Sequence, residues 1–282
     1  MLHVCATPIG NLGDVTLRVL ETLRSVELIA AEDTRRTRKL LAHYDIHTPL
    51  TSLFSDNEAQ KTAYVLGLLR EGKDVALVSD AGLPSISAPG LRLVARAVAE
   101  GLPLVVLPGA SAPATAVVAS GLAADAGFRF VGYLPRRRRE LHDAWRTWQG
   151  AGGVLVAFEA PRRLAKSLAE LAELTPGVPG AVCRELTKLH EQVVRGTLAE
   201  LAATFAAGAA VKGEITLVCD LGAPAPQAAA GHEVEDAARR LLAKGLSKRD
   251  AAAALGVCLG VAHREAERLT RAVAKEMPRR EP

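Results

Sequence analysis

No apolar run in this 282-residue chain approaches the roughly 18 residues needed to span a bilayer, so no membrane helix is expected. The first residues, Met1-Leu2-His3-Val4, pass straight into a strand-like segment without the basic leader and apolar core of a signal peptide, and the expected location is cytoplasmic. Cysteine is scarce. The four (Cys5, Cys183, Cys219, Cys258) are scattered and none forms Cys-x-x-Cys, which supports neither a disulfide framework nor a zinc site. The loop after the first strand-like run lacks Gly-x-Gly-x-x-Gly, which argues against a nicotinamide dinucleotide fold. A strong charge of one sign is also missing. The net charge is +4, with the basic excess lying after residue 118, which permits a polyanionic partner there.

Hydrophobic residues make up 49% of the chain, enough at this length for two packed domains. Strand-like runs at 2–6, 27–31, 49–53, 74–79 and 103–107 alternate with helical patterns near 17–24, 35–43, 58–70, 91–99 and 111–120. That alternation predicts a mostly parallel sheet covered by helices. A second set follows: strands at 128–133, 154–159, 180–185 and 214–220, helices near 139–149, 162–174 and 198–206, and a short hairpin strand at 190–196. Residues 223–231, rich in Pro and Ala, read as a linker, and 232–277 as helical throughout. The expected organisation is an α/β domain over 1–118, a second over 119–221, a linker at 222–231 and a helical tail over 232–282.

The stretch VALVSDAGLPSISAPG, residues 75–90, is the most informative. A buried-strand pattern stops at Ser79-Asp80-Ala81-Gly82, a loop of small residues holding one carboxylate. In open α/β sheets ligands bind just past the carboxyl ends of the strands. Three more strand ends carry distinctive loops: TPIGNLGD (7–14), AEDTR (31–35) and LPGASA (107–112). The last precedes a helix whose first amides, with Ser111 as a cap, suit a carboxylate. Together these loops place Glu32, Asp33 and Asp80 on one edge, which turn chemistry alone does not require.

These four motifs, in this order, resemble those of the tetrapyrrole methylase superfamily. In the second half, GYLPRRRRE, FEAPRRL, CRELTKLHEQVVRGTLAEL and KGEITLV resemble its ribose-methylating branch, the ribosomal RNA small subunit methyltransferase I type. The resemblance spans residues 2 to about 220, and the helical tail fits it as well. It implies two α/β domains with S-adenosylmethionine in the cleft between them, a homodimer, and methyl transfer to the 2′-oxygen of a cytidine in 16S rRNA of the 30S ribosomal subunit; no metal is expected. Carried over by position, Pro8, Ile9 and Gly10, the loop Asp80, Ala81, Gly82 and Leu83, Ser111, Ala112, Phe158 and Ile215 are the implied cofactor contacts. The chain departs from the pattern at Ala88, where the family has Asp, at Ala110, where it has Pro, and at Ala160, where it has Ser.

Such a transfer is an in-line displacement whose leaving group departs neutral. The chemistry asks for alignment and for a base of modest strength. Candidates for the base are Glu32, Asp33, Glu185 and Glu214, and Lys188 or Lys212 is placed to stabilise the developing alkoxide. Asp80 is expected to accept from the cofactor's ammonium or to sit near its sulfonium. Arg136, Arg137, Arg138 and Arg139, following Leu134-Pro135, are expected to pair with RNA phosphates, and Arg162-Arg163 and Lys212 extend that path. Trp145 and Trp148 share a helical face with Leu141 and read as core. Ser247 is a plausible N-cap in a tail suited to RNA binding or dimer contact. The alternative functions are a corrin-precursor methyltransferase of the same fold and a non-enzymatic RNA-binding module.

Overall fold

The computed structural model describes residues 1–86, 89–122, 127–206, 211–223, 231–259, 261 and 263–276. Ala88 and most of the 222–231 linker therefore lie outside the described residues. The chain forms two compact units, residues 1–144 with 153–221, and residues 145–152 with 222–282.

The first unit begins with a five-stranded sheet: β1 (Leu2–Cys5), β2 (Leu28–Ala31), β3 (Leu50–Ser52), β4 (Val75–Val78) and β5 (Leu104–Leu107), in the order β3-β2-β4-β1-β5. Every pair is parallel, as the alternation of strand and helix predicts. The register brings Cys5, Ala31, Ser52, Val78 and Leu107 level with one another, so the loops after these strands leave from a single edge. Alternation along each strand feeds two cores: Leu2, Val4, Leu28, Ala30 and Leu77 pack on one face, Cys5, Ile29, Ala31, Ala76 and Val78 on the other. The faces are covered by α1 (Leu17–Ser25), α2 (Thr34–His43), α3 (Glu58–Arg70) and α4 (Leu91–Ala99).

The next helix, α5 (Ala112–Ser120), turns to the second sheet. That sheet comprises β6 (Phe128–Tyr133), β7 (Val154–Glu159), β8 (Pro179–Arg184), β9 (Gln192–Thr197) and β10 (Ile215–Asp220), in the order β6-β7-β10-β8-β9. Only β6 and β7 run parallel; the other pairs are antiparallel, including the expected β8–β9 hairpin. Ala116 and Val117 of α5 pack into one core with Val156, Ala181, Cys183 and Val218, and Ile9 from the loop after β1 joins them. This shared burial ties the two sheets into one unit. The remaining helices along this stretch are α6 (Arg138–Ala151), whose residues from Trp145 onward are counted with the second unit, α7 (Pro161–Leu174) and α8 (Leu198–Ala206). Leu141 and Trp145 of α6 are buried and Trp148 is half-buried.

The tail is helical, as the pattern predicts, and is divided into three helices, α9 (Gly231–Ala243), α10 (Lys248–Leu259) and α11 (His263–Glu276). The first break falls at Gly245, whose φ of 90° suits only glycine comfortably. Ser247 then starts α10: its hydroxyl accepts from the Asp250 amide at 3.1 Å and donates to the Asp250 carboxylate at 2.6 Å. Val234, Ala238, Leu255, Ala266, Leu269 and Val273 form the core of this part. Among the described residues no helix is long and apolar enough to cross a membrane. Burial pushes the thiols of Cys5 and Cys219 up to about 12 and that of Cys183 up to about 11, which leaves them inert as nucleophiles.

Candidate functional site

The loops at the shared strand edge are stitched together before any ligand is considered. Thr7 and Gly82 exchange backbone hydrogen bonds of 2.9 and 3.0 Å, and the Thr7 hydroxyl donates to the Ser79 carbonyl at 3.0 Å. Asp80 is held from both sides. One carboxylate oxygen accepts from the Asp33 amide at 3.0 Å, the other lies 3.5 Å from Arg36 Nε, and its own amide donates to Glu32 at 3.1 Å. Burial raises the Glu32 carboxyl above its ordinary value, against the hydrogen bond it accepts from the Asp80 amide.

Opposite this edge, Glu185 and Lys188 from the segment between β8 and β9 form a charged triad with Glu214, which directly precedes β10. Lys188 Nζ donates to Glu185 at 2.8 Å and to Glu214 at 3.0 Å, and the Glu214 amide donates to Glu185 at 2.8 Å. The Lys188 hydrogen bond, then the Glu214 amide, holds the Glu185 carboxyl below its ordinary value. Burial pulls the Lys188 ammonium down, but the two carboxylates outweigh it and leave it raised. At neutral pH Glu185 and Lys188 are therefore both charged. The backbone of their segment is strained, since Glu185 and Thr187 are non-glycine residues at φ 51° and 65°.

Two glycines admit this segment. A Cβ on Gly10 would stand 2.5 Å from Lys188 Cγ and 2.8 Å from the Leu186 carbonyl oxygen. Gly213, at φ 94°, leaves room for Glu185, whose Cδ would lie 2.5 Å from an added Cβ. The Asn11 amide completes the clasp by donating to the Thr187 hydroxyl at 3.1 Å.

Between the first-sheet edge and the second sheet lies a cavity of about 340 Å³. Its apolar wall includes Ile9, Leu83, Phe158, Tyr133 and Ile215, with the Tyr133 and Phe158 rings edge to face at 5.6 Å. Its polar wall includes Asp80, Glu32, Arg36, Glu214 and Ser111. A smaller cavity of about 230 Å³ adjoins it and shares Ile9, Arg36, Asp80, Ala81 and Glu214 as a common wall. No cluster of His, Cys, Asp and Glu suited to a metal ion occurs among the described residues.

The sequence pattern that describes the tetrapyrrole (corrin/porphyrin) methylases matches residues 1–202. The chain is 43% identical over 219 residues to the ribosomal RNA small subunit methyltransferase I of Halalkalibacterium halodurans, covering 78% of this chain and 75% of that one. To its counterpart in Synechocystis sp. it is 42% identical over 253 residues, 89% and 90% of the two chains. The chain belongs to the tetrapyrrole methylase family, in its ribosomal RNA small subunit methyltransferase I branch. The uroporphyrin-III C-methyltransferase of Thermus thermophilus, solved in complex with S-adenyl homocysteine, shares the methylase fold. The TM-score is 0.54 at 17% identity, over 78% of this chain and 97% of that one.

In this methylase the expected cofactor contacts divide between the two cavities. Ile9, Asp80, Ala81, Gly82, Leu83, Ser111, Ala112, Phe158 and Ile215 line the larger. Pro8 and Gly10 line the smaller, with Lys188. Of the base candidates, Glu32 and Glu214 face the larger cavity, and Glu185 stands behind Lys188. Asp33 lines neither. Its carboxylate caps α2 at the Arg35 amide (2.8 Å) and pairs with the Arg35 guanidinium (2.8 Å), whose hydrogen bonds hold it down at about 2. So engaged, and lining neither cavity, Asp33 is less suited to the base role than Glu32 or Glu214. Ser111 does start α5, but its hydroxyl makes no cap hydrogen bond, so the first-turn amides stay free of it.

The four arginines also separate. Arg137 pairs with Glu140 at 3.0 Å, Arg138 with Glu173, and Arg139 with Asp143 at 3.9 Å. Arg136 instead joins Arg162, Arg163 and Lys166 around a distinct cavity of about 190 Å³. Lys212 is exposed, next to Gly213. Sequence reasoning missed Arg36, Tyr133 and Leu186. The available signal for Arg36 was its place in the first turn of a helix capped by Asp33, which turns its side chain back toward the strand edge.

Proposed function

We propose that this chain is an S-adenosylmethionine-dependent methyltransferase that methylates the 2′-hydroxyl of a cytidine ribose in 16S rRNA of the small ribosomal subunit. The observation that carries the reading is its 43% identity, over most of its length, to a ribosomal RNA small subunit methyltransferase I. The corrin-precursor alternative rests on a protein such as the uroporphyrin methylase, whose 17% identity speaks for fold alone.

The larger cavity suits the donor. S-adenosylmethionine, when bound, supplies a methyl group on a sulfonium that leaves as a neutral thioether. Asp80 and Glu32 offer carboxylates to an ammonium or to positive charge on sulfur. The uncapped first turn of α5 at Ser111 and Ala112 offers amides to a carboxylate. Ile9, Leu83, Phe158 and Ile215 offer an apolar shelf to a purine, with Ala81 and Gly82 keeping the wall low.

Glu214 is the proposed proton acceptor because it alone of the base candidates faces both cavities. Lys188, 3.0 Å from it, stabilises negative charge developing on the ribose oxygen, and Glu185 positions that ammonium. Arg136 and Arg162 offer guanidinium forks to RNA phosphates, and exposed Lys212 directly precedes Gly213, which lines the larger cavity. A homodimer in the cytoplasm completes the proposal.

The test is mass spectrometry of 16S rRNA from a strain lacking this gene. One ribose-methylated cytidine should be lost, restored by the wild-type gene and not by Asp80→Ala. Unchanged ribose methylation rejects the reading.

A further inference from the structure

The smaller cavity differs from its neighbour in chemistry. One side of it is a face of α2: Arg36 and Lys39, one turn apart, point their charges at it, with Thr37 and Leu40 between them. Arg36 is partly neutralised by Asp80 at 3.5 Å, and Lys188 is engaged by Glu185 and Glu214. Lys39 makes no ion pair with any described residue. The opposite side, with Pro8, Ile9 and Leu12, is apolar, and Leu12 is fixed by a 2.7 Å hydrogen bond from the Tyr44 hydroxyl to its carbonyl. A slot with one apolar side and a cation without an ion-pair partner among the described residues, sharing a wall of Asp80 and Glu214 with a donor-sized cavity, is a site for a sugar that carries an anion.

We propose that the smaller cavity is the acceptor pocket, which takes one unpaired ribonucleotide with its ribose at the shared wall and a backbone phosphate on Lys39 and Arg36. This rests on the function proposed above. It adds the place of the acceptor and two cations, Arg36 and Lys39, that no motif singled out. Single-stranded RNA fits because an unpaired nucleotide can be turned out of its strand to set its sugar at the shared wall.

The test uses the full-length protein saturated with S-adenosylhomocysteine and purified small ribosomal subunits. Binding is measured across salt concentrations, and initial methylation rates are measured with S-adenosylmethionine. Lys39→Gln should raise KM and Kd for the subunits about tenfold. It should reduce the slope of log affinity against log salt by about 1. Donor affinity should not change, and Lys39→Arg should recover most of the loss. Lys73→Gln, at the opposite edge of the first sheet, is the control. Leu12→Trp, which fills the slot, should cut kcat/KM at least a hundredfold with donor affinity intact. Wild-type behaviour of Leu12→Trp, or a Lys39→Gln protein indistinguishable from the control, overturns the acceptor pocket while methylation by the wild type keeps the function. Wild-type protein that binds subunits through Lys39 but transfers no methyl overturns the function, and with it the acceptor role, and keeps the cavity only as a nucleotide-binding pocket. No binding by the wild type overturns both.

Discussion

Asp80 accepts from the Asp33 amide, stands 3.5 Å from Arg36 and lines both cavities, so a change there reaches the donor and the wall behind it together. A charge-assisted contact of this kind contributes about 1.5–3 kcal/mol. Asp80→Ala should therefore weaken S-adenosylmethionine binding about tenfold to a hundredfold by calorimetry. Gly213 is the second sensitive point. Gly213→Ala combines a φ of 94° with a Cβ placed 2.5 Å from Glu185, and should cost about 1–3 kcal/mol in a denaturant melt. The triad gives a pH signature. Glu185 titrates below its ordinary 4.5, so its contribution is whole above that value and is lost as pH falls through the lower folded value. Lys188 titrates above its ordinary 10.5, so its contribution is whole below that value and is lost as pH rises through the raised one. The stability gap between wild type and Glu185→Gln should be flat between these limits and close on acidification below about 4.5 in urea melts.

Among the elements, the parallel sheet was legible because its short, apolar strands are buried on both faces and separated by helical patterns. The edge carrying Asp80 and Glu32 was legible for the same reason: level strand ends gather the loops whatever their sequence separation. What the sequence did not disclose is set by contacts across the chain. Asn11 meets Thr187 from 176 residues away, and the clasp of Gly10 on Lys188 follows from how α5 and Ile9 seat the second sheet, not from any local pattern. Residue type alone also did not disclose that the Asp33 carboxylate is spent on Arg35, and read the Ser111 side chain as a cap that it does not form. In the tail, the Ser247–Asp250 cap was legible as local chemistry. Ser247→Ala should lower the stability of that unit by about 1 kcal/mol, measured by hydrogen exchange in α10, and leave exchange in the first sheet unchanged.

For the whole molecule, a net charge of +4 on 282 residues supplies little general attraction to RNA, so affinity for a ribosomal subunit depends on where unpaired cations stand. Arg136 and Arg162 line a basic cavity, whereas Arg137, Arg138 and Arg139 have acidic partners. Changing Arg136 and Arg162 together to Ala should reduce the salt slope of subunit binding by about 2, and changing Arg137 and Arg139 should reduce it less. The reading as a ribose methylase is tested most directly by incubating purified protein, small subunits and S-adenosylmethionine carrying a labelled methyl group, then digesting the RNA and identifying the labelled nucleoside by mass. The expected product is 2′-O-methylcytidine from a single position of 16S rRNA. Label on a base, or subunits left unlabelled by protein that binds the donor, would contradict it.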